Sequence, residues 1–91
     1  MGWGDIKDRL NAQTYKGFRI VPNRICITVD GEPDKYRVSV EIQREGGDKP
    51  PKTFTKKGKY ASTEQDAIRQ SLEYGKKVID GEVAGESVAD L

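Results

Sequence analysis

The chain contains no histidine and a single cysteine, Cys26, among 91 residues. The first absence removes the commonest general acid–base and the commonest metal ligand. The second excludes an internal disulfide and any multi-thiolate zinc site. No window approaches the ~18 consecutive apolar residues of a membrane-spanning helix. The opening Met1-Gly2-Trp3-Gly4-Asp5 lacks the basic and apolar regions of a secretory signal, and Ile6 stands where a myristoylation motif wants Ser or Thr. These absences predict a soluble protein of a reducing cytoplasm, with no cofactor, no metal and no membrane partner. Aliphatic content is low too: Leu, Ile, Val and Phe make up 19 of the 91 residues, about the level at which disorder sets in. A net charge of only +1 adds little self-repulsion, so a thin core and one small domain are expected.

What is present is periodic. Trp3, Ile6 and Leu10 recur at helical spacing, which fits a short amphipathic helix over roughly 4–12 or, at that length, a frayed terminus. From Tyr15 the period becomes two. Phe18 and Ile20 alternate as far as Pro22, which has no amide for a ladder and marks an edge or a break. Ile25, Ile27 and Val29 then alternate with Arg24, Cys26 and Thr28, ahead of a turn at Asp30-Gly31. The clearest strand turns Tyr36, Val38, Val40 and Ile42 one way and Arg37, Ser39, Glu41 and Gln43 the other. A last strand, roughly 52–57, turns Phe54 inward. Ser62 and Thr63 are good N-caps, and Ser62 with Gln65 makes a capping-box pattern. The helix that follows, predicted over 62–80, carries Ala67, Ile68, Ser71, Leu72, Gly75, Val78 and Ile79 on one stripe, and Gly81 closes it. Residues 82–91 show no usable period and read as a flexible tail.

The expected organisation is a segment 1–13, a single domain over 14–81, and the tail 82–91. The fold class is α+β: a three- to four-stranded antiparallel β-meander covered on one face by a long C-terminal helix. Its inward face is expected to be Ile25, Ile27, Val29, Val38, Val40, Ile42 and Phe54.

Chemistry is sparse. Cys26 has no histidine to activate it and reads as a small semi-buried strand residue. Asp30, Glu32 and Asp34 belong to a turn and lack the spacing of a calcium loop. No catalytic residue is expected. The charge, however, is segregated: residues 15–60 hold 11 Lys/Arg against 6 Asp/Glu, and residues 61–91 hold 3 against 7. Lys52, Lys56, Lys57 and Lys59 fall within eight residues. With Arg24, Arg37 and Gln43 they form a candidate nucleic-acid surface, since clustered cations and hydrogen-bonding side chains on a sheet face suit phosphates and base edges. Lysines also protect exposed strand edges from mispairing.

Tyr36-Arg37-Val38-Ser39-Val40, then Thr53-Phe54-Thr55, then Ser62-Thr63-Glu64-Gln65-Asp66-Ala67 and its helix resemble small bacterial β-meander-plus-helix domains, many of them uncharacterised. The same layout resembles the arm-binding domains of phage and transposon integrases and the plant ethylene-response DNA-binding domains. In those families the sheet enters the major groove and the helix backs it. With an N-terminal helix the order also resembles a double-stranded-RNA-binding domain, in which Lys56-Lys57-Gly58-Lys59 would match phosphate-contacting lysines. HicB-type antitoxins are similar in topology and bind a protein. The resemblances imply a small non-catalytic binding module with a nucleic-acid partner. The alternative is a protein-interaction or regulatory module, antitoxin-like or an inhibitor, that works through its sheet edge or helix.

Overall fold

The computed structural model describes residues 12–89 and 91; most of the helix expected over 4–12 lies outside them. Among the described residues five strands, β1 (Gln13–Tyr15), β2 (Phe18–Pro22), β3 (Cys26–Ile27), β4 (Lys35–Arg44) and β5 (Lys52–Ala61), precede one helix, α1 (Glu64–Ile79). All pairings are antiparallel. The architecture is α+β, with α1 lying on one face of the sheet.

Strand β4 is the spine. β5 runs along one side of it, while β2 and β3 share the other. Partner numbers change one for one from Phe18↔Arg44 through Pro22↔Val40 to Ile27↔Lys35. Backbone bonds Asn23 N–H to Ser39 O (3.0 Å) and Arg37 N–H to Ile25 O (2.9 Å) bridge the gap. The two short strands are therefore one lane of the meander in a single register, interrupted where Pro22 lacks a donor. The β1–β2 hairpin turns on Lys16 and Gly17, both at positive φ (50° and 82°), as a two-residue type I′ turn requires.

That continuous register corrects the expected inward face. Because side chains alternate without a slip, Phe18, Ile20 and Pro22 point toward α1, which puts Ile25 and Ile27 on the opposite side. Ile25 and Val29 are 38% and 42% exposed. The core is Phe18, Ile20, Val38, Val40, Ile42 and Phe54 from the sheet with Ala67, Tyr74 and Val78 from the helix.

The helix begins at the second of the two candidate caps: Thr63 accepts a hydrogen bond from the Asp66 amide at 3.1 Å. Its buried stripe is Ala67, Ser71, Tyr74, Gly75 and Val78, while Ile68, Leu72 and Ile79 are only half-buried along its margin. Gly75 sets the spacing between the layers. A Cβ there would sit 2.7 Å from Ile20 Cγ2 and 3.2 Å from Val40 Cγ2.

The tail is also corrected. Val88 is buried in the core, and Val83 and Leu91 pack against it. The Arg44 Nε–H donates to Leu91 O at 2.6 Å. Gly81 and Gly85, at φ 78° and 80°, allow the backward bends that isolated apolar residues need to reach the core. Such a segment carries no period to read in the sequence.

Candidate nucleic-acid interface

The face of the sheet opposite α1 is uncovered among the described residues. Successive rows across it follow from the register: Arg19 beside Gln43; Val21, Glu41 and Thr53; Asn23, Ser39 and Thr55; Ile25, Arg37 and Tyr60; Ile27 and Lys35. The central row is neutral and closed. Ser39 Oγ accepts from Asn23 Nδ2 at 3.0 Å and shares a hydrogen bond with Thr55 Oγ1 at 3.0 Å. The cations lie toward the ends.

One irregularity shapes this face. Between the pairs Ser39↔Thr55 and Arg37↔Tyr60, Val38 alone opposes four residues of β5, 56–59. The chain bulges out through Gly58 at φ 75° and returns to the ladder at Tyr60. On the β2–β3 side, at the break between those two strands, the Ser39 amide donates to Ser71 Oγ on α1 at 3.1 Å. On the open side the bulge delivers Tyr60, 38% exposed, beside two cations. Lys35 Nζ lies 4.7 Å and Arg37 Cζ 5.6 Å from its ring centroid, within cation–π range.

The residues expected to form one cluster separate into three groups. Arg37 and Gln43 lie on the open face, Gln43 donating weakly to Lys49 O at 3.4 Å. Lys57 and Lys59 are exposed on the bulge at the sheet margin. Lys52 and Lys56 lie on the helix side: Lys52 Nζ is 5.4 Å from the Phe54 ring centroid and Lys56 Nζ is 5.9 Å from that of Tyr74. Arg24, of opposite parity to Ile25, also faces α1 and pairs with Glu64 at 3.1 Å. Arg19, Lys35 and Tyr60 belong to the open face but were not among the expected site residues. Alternation from Ile20 and Tyr36 would have placed the first two; the Lys56–Lys59 run ended the expected strand before Tyr60.

The acidic half of the chain is largely engaged on the helix layer. Glu64 meets Arg24, and Asp66 and Glu73 meet Arg69 at 3.2 and 3.5 Å. Asp80 accepts from Lys16 Nζ at 2.5 Å and from the Tyr15 hydroxyl at 2.8 Å. These hydrogen bonds, Lys16 first, hold the Asp80 carboxyl below its ordinary value. By contrast, Arg19, Lys35, Arg37, Lys57 and Lys59 make no ion pair with a carboxylate among the described residues. Glu41 lies within the rows, and Glu45, which accepts from Thr14 Oγ1 at 2.9 Å, lies at their Arg19 end.

On the inner side of the opposite end, Cys26 pairs with Tyr36. The electrostatic influence of Cys26 and then burial raise the Tyr36 phenol above its ordinary value. Three clefts among the described residues are small: about 90 Å³ beside Arg44 and Leu91, 50 Å³ along Lys56 and Tyr74, and 270 Å³ by Pro50 and Pro51. Small-molecule sites usually hold ~300–1,000 Å³. Among the described residues no group of His, Cys, Asp or Glu side chains could hold a metal ion, and no helix is long and apolar enough to cross a membrane. No family model, curated protein or solved structure matches the chain.

Proposed function

We propose that this protein is a non-catalytic nucleic-acid-binding module of the cytoplasm that presents the open face of its sheet, with Lys57 and Lys59 on the adjoining margin. The observation that carries the reading is Tyr60: an exposed aromatic ring flanked by Lys35 and Arg37, two cations with no carboxylate partner among the described residues. Such a combination attracts phosphate and offers a surface to bases. Arg19 and Gln43 extend hydrogen-bonding capacity to the other end of the face. The acids engaged on the helix layer leave the electrostatic asymmetry of the chain pointing outward.

The test is a titration of labelled duplex and single-stranded DNA and RNA at low salt, followed by a salt series. Micromolar or weaker binding with a steep salt dependence is the expected result. Absence of binding to all four would favour the second reading, a protein-interaction module. Exposed Ile25 and Val29 and the edge of β5, unpaired among the described residues, give that reading its own support, because apolar sheet surface and unpaired strand edges are what a protein partner covers.

A further inference from the structure

Resting on the nucleic-acid reading, we propose that the ligand is an unpaired strand, and that one of its bases stacks at the Tyr60 end of the open face. Three observations converge there. Ile25, Arg37 and Tyr60 form one continuous row across three strands, so an exposed aliphatic side chain and an exposed ring flank a guanidinium. Lys35 stands one row further along, over the same ring. Arg19, at the far end of the face, is separated from this group by the closed Asn23–Ser39–Thr55 row and by Glu41.

A duplex offers phosphates and base edges while its base faces stay stacked internally. Against a duplex, the Ile25 side chain and the Tyr60 ring would be covered by charged backbone and gain little. An unpaired nucleotide supplies both chemistries at once. Its base has a π-face for Tyr60 and apolar surface for Ile25, and its phosphate has one or two negative neighbours to place against Lys35 and Arg37. Glu41 repels a phosphate chain running along the middle of the sheet, which confines contact to a few nucleotides at this end and toward Lys57 and Lys59. DNA and RNA share this chemistry.

The experiment is fluorescence anisotropy at low salt with a short oligothymidylate, an oligouridylate, an abasic strand of the same length and a duplex. Wild type, Tyr60→Ala and Tyr60→Phe are compared, with thermal melting to confirm folding. The thymidylate or uridylate strand should bind more tightly than both the abasic strand and the duplex. Tyr60→Ala should weaken binding of the base-bearing strand roughly 5- to 150-fold, leave the abasic strand unaffected, and be rescued by Tyr60→Phe. The ratio of the two pyrimidine strands separates RNA from DNA. Equal binding of the abasic and base-bearing strands to wild type, or a preference for duplex that Tyr60→Ala leaves untouched, overturns the stacking proposal while the nucleic-acid reading stands. Failure of every probe to bind removes both. Because the abasic comparison is made on wild type, it stands even if a variant misfolds.

Discussion

Ser71 is a buried polar side chain in the inner stripe of α1, and its position follows from the break between β2 and β3 beneath it. At that break the Ser39 amide has no ladder acceptor, and a buried donor without an acceptor costs about 1–3 kcal/mol. Ser71 Oγ satisfies it across the layers at 3.1 Å. Ser71→Ala should therefore destabilise the fold by about 1–3 kcal/mol in urea titration, although alanine is the better helix former; a neutral result would mean water takes over the role. Gly75 has the opposite logic. Alanine there gains about 1 kcal/mol of helix propensity but drives a methyl to 2.7 Å from Ile20, an overpacking cost of about 1–3 kcal/mol. Gly75→Ala should lower stability by up to about 2 kcal/mol. An increase would show that α1 can lift from the sheet without loss.

At the scale of elements, the β1–β2 turn is fastened to the end of α1. Tyr15 and Lys16 both donate to Asp80, the C-cap residue, a carboxylate at the negative end of the helix dipole that needs cationic company. The Asp80 carboxyl is held below its ordinary value, so its contribution is present above the unfolded-state pKa and lost as pH falls through the folded one. Lys16 is raised, chiefly by its hydrogen bond to Asp80, so its share is present below the unfolded-state pKa and lost as pH rises through the folded value. Tyr15 is raised by the same carboxylate and likewise lets go in alkali. Melting against pH should show stability flat between these limits and falling at both. Asp80→Asn should flatten the acid limb; an unchanged acid limb would mean the fastening is energetically silent. The tail is a second attached element. Removing two buried methyl groups by Val88→Ala should cost about 1–2 kcal/mol, several degrees of melting midpoint in a domain this small. Deleting 82–91 should cost more. A deletion without effect would restore the flexible tail expected from the sequence.

Over the whole molecule, the near-zero net charge conceals a division between an acid-rich helix layer, four of whose carboxylates meet cations, and an open face and margin whose cations have no carboxylate partner among the described residues. If the four cations at and beside the Tyr60 end (Lys35, Arg37, Lys57 and Lys59) meet phosphates, the slope of log K against log salt should be roughly −3 on a single strand, at about 0.7 per contact. Lys57→Ala with Lys59→Ala should flatten that slope by about 1 and weaken binding evenly across sequences. Lys52→Ala with Lys56→Ala, on the helix side, should change it much less. Equal effects of the two pairs would show that the ligand wraps around β5 rather than lying on the face.

Much of this fold was written locally. The period of two from Tyr36 to Ile42, the cap at Thr63, the Ala67, Ser71, Gly75 and Val78 positions of the stripe of α1 and its closing glycine are consequences of side-chain spacing and backbone chemistry within a few residues, so the chain alone defined the helix and the central strand, though not that Tyr74 would be buried in place of Ile68, Leu72 and Ile79. Three things depended on contacts between distant segments. The parity of Ile25 and Ile27 is inherited through Pro22 from the hydrogen-bonded register with β4, and no local pattern distinguishes a reset from a continuation. The lysine run looked like one cluster because a sequence has no faces; ladder parity put Lys52 and Lys56 on the helix side, while the four-residue bulge opposite Val38 sent Lys57 and Lys59 to the margin and Tyr60 to the open surface. The tail docks through single apolar residues whose stabilisation comes only from the core they reach. Periodicity reports the geometry of one element, whereas register and docking are set by the partner across the gap.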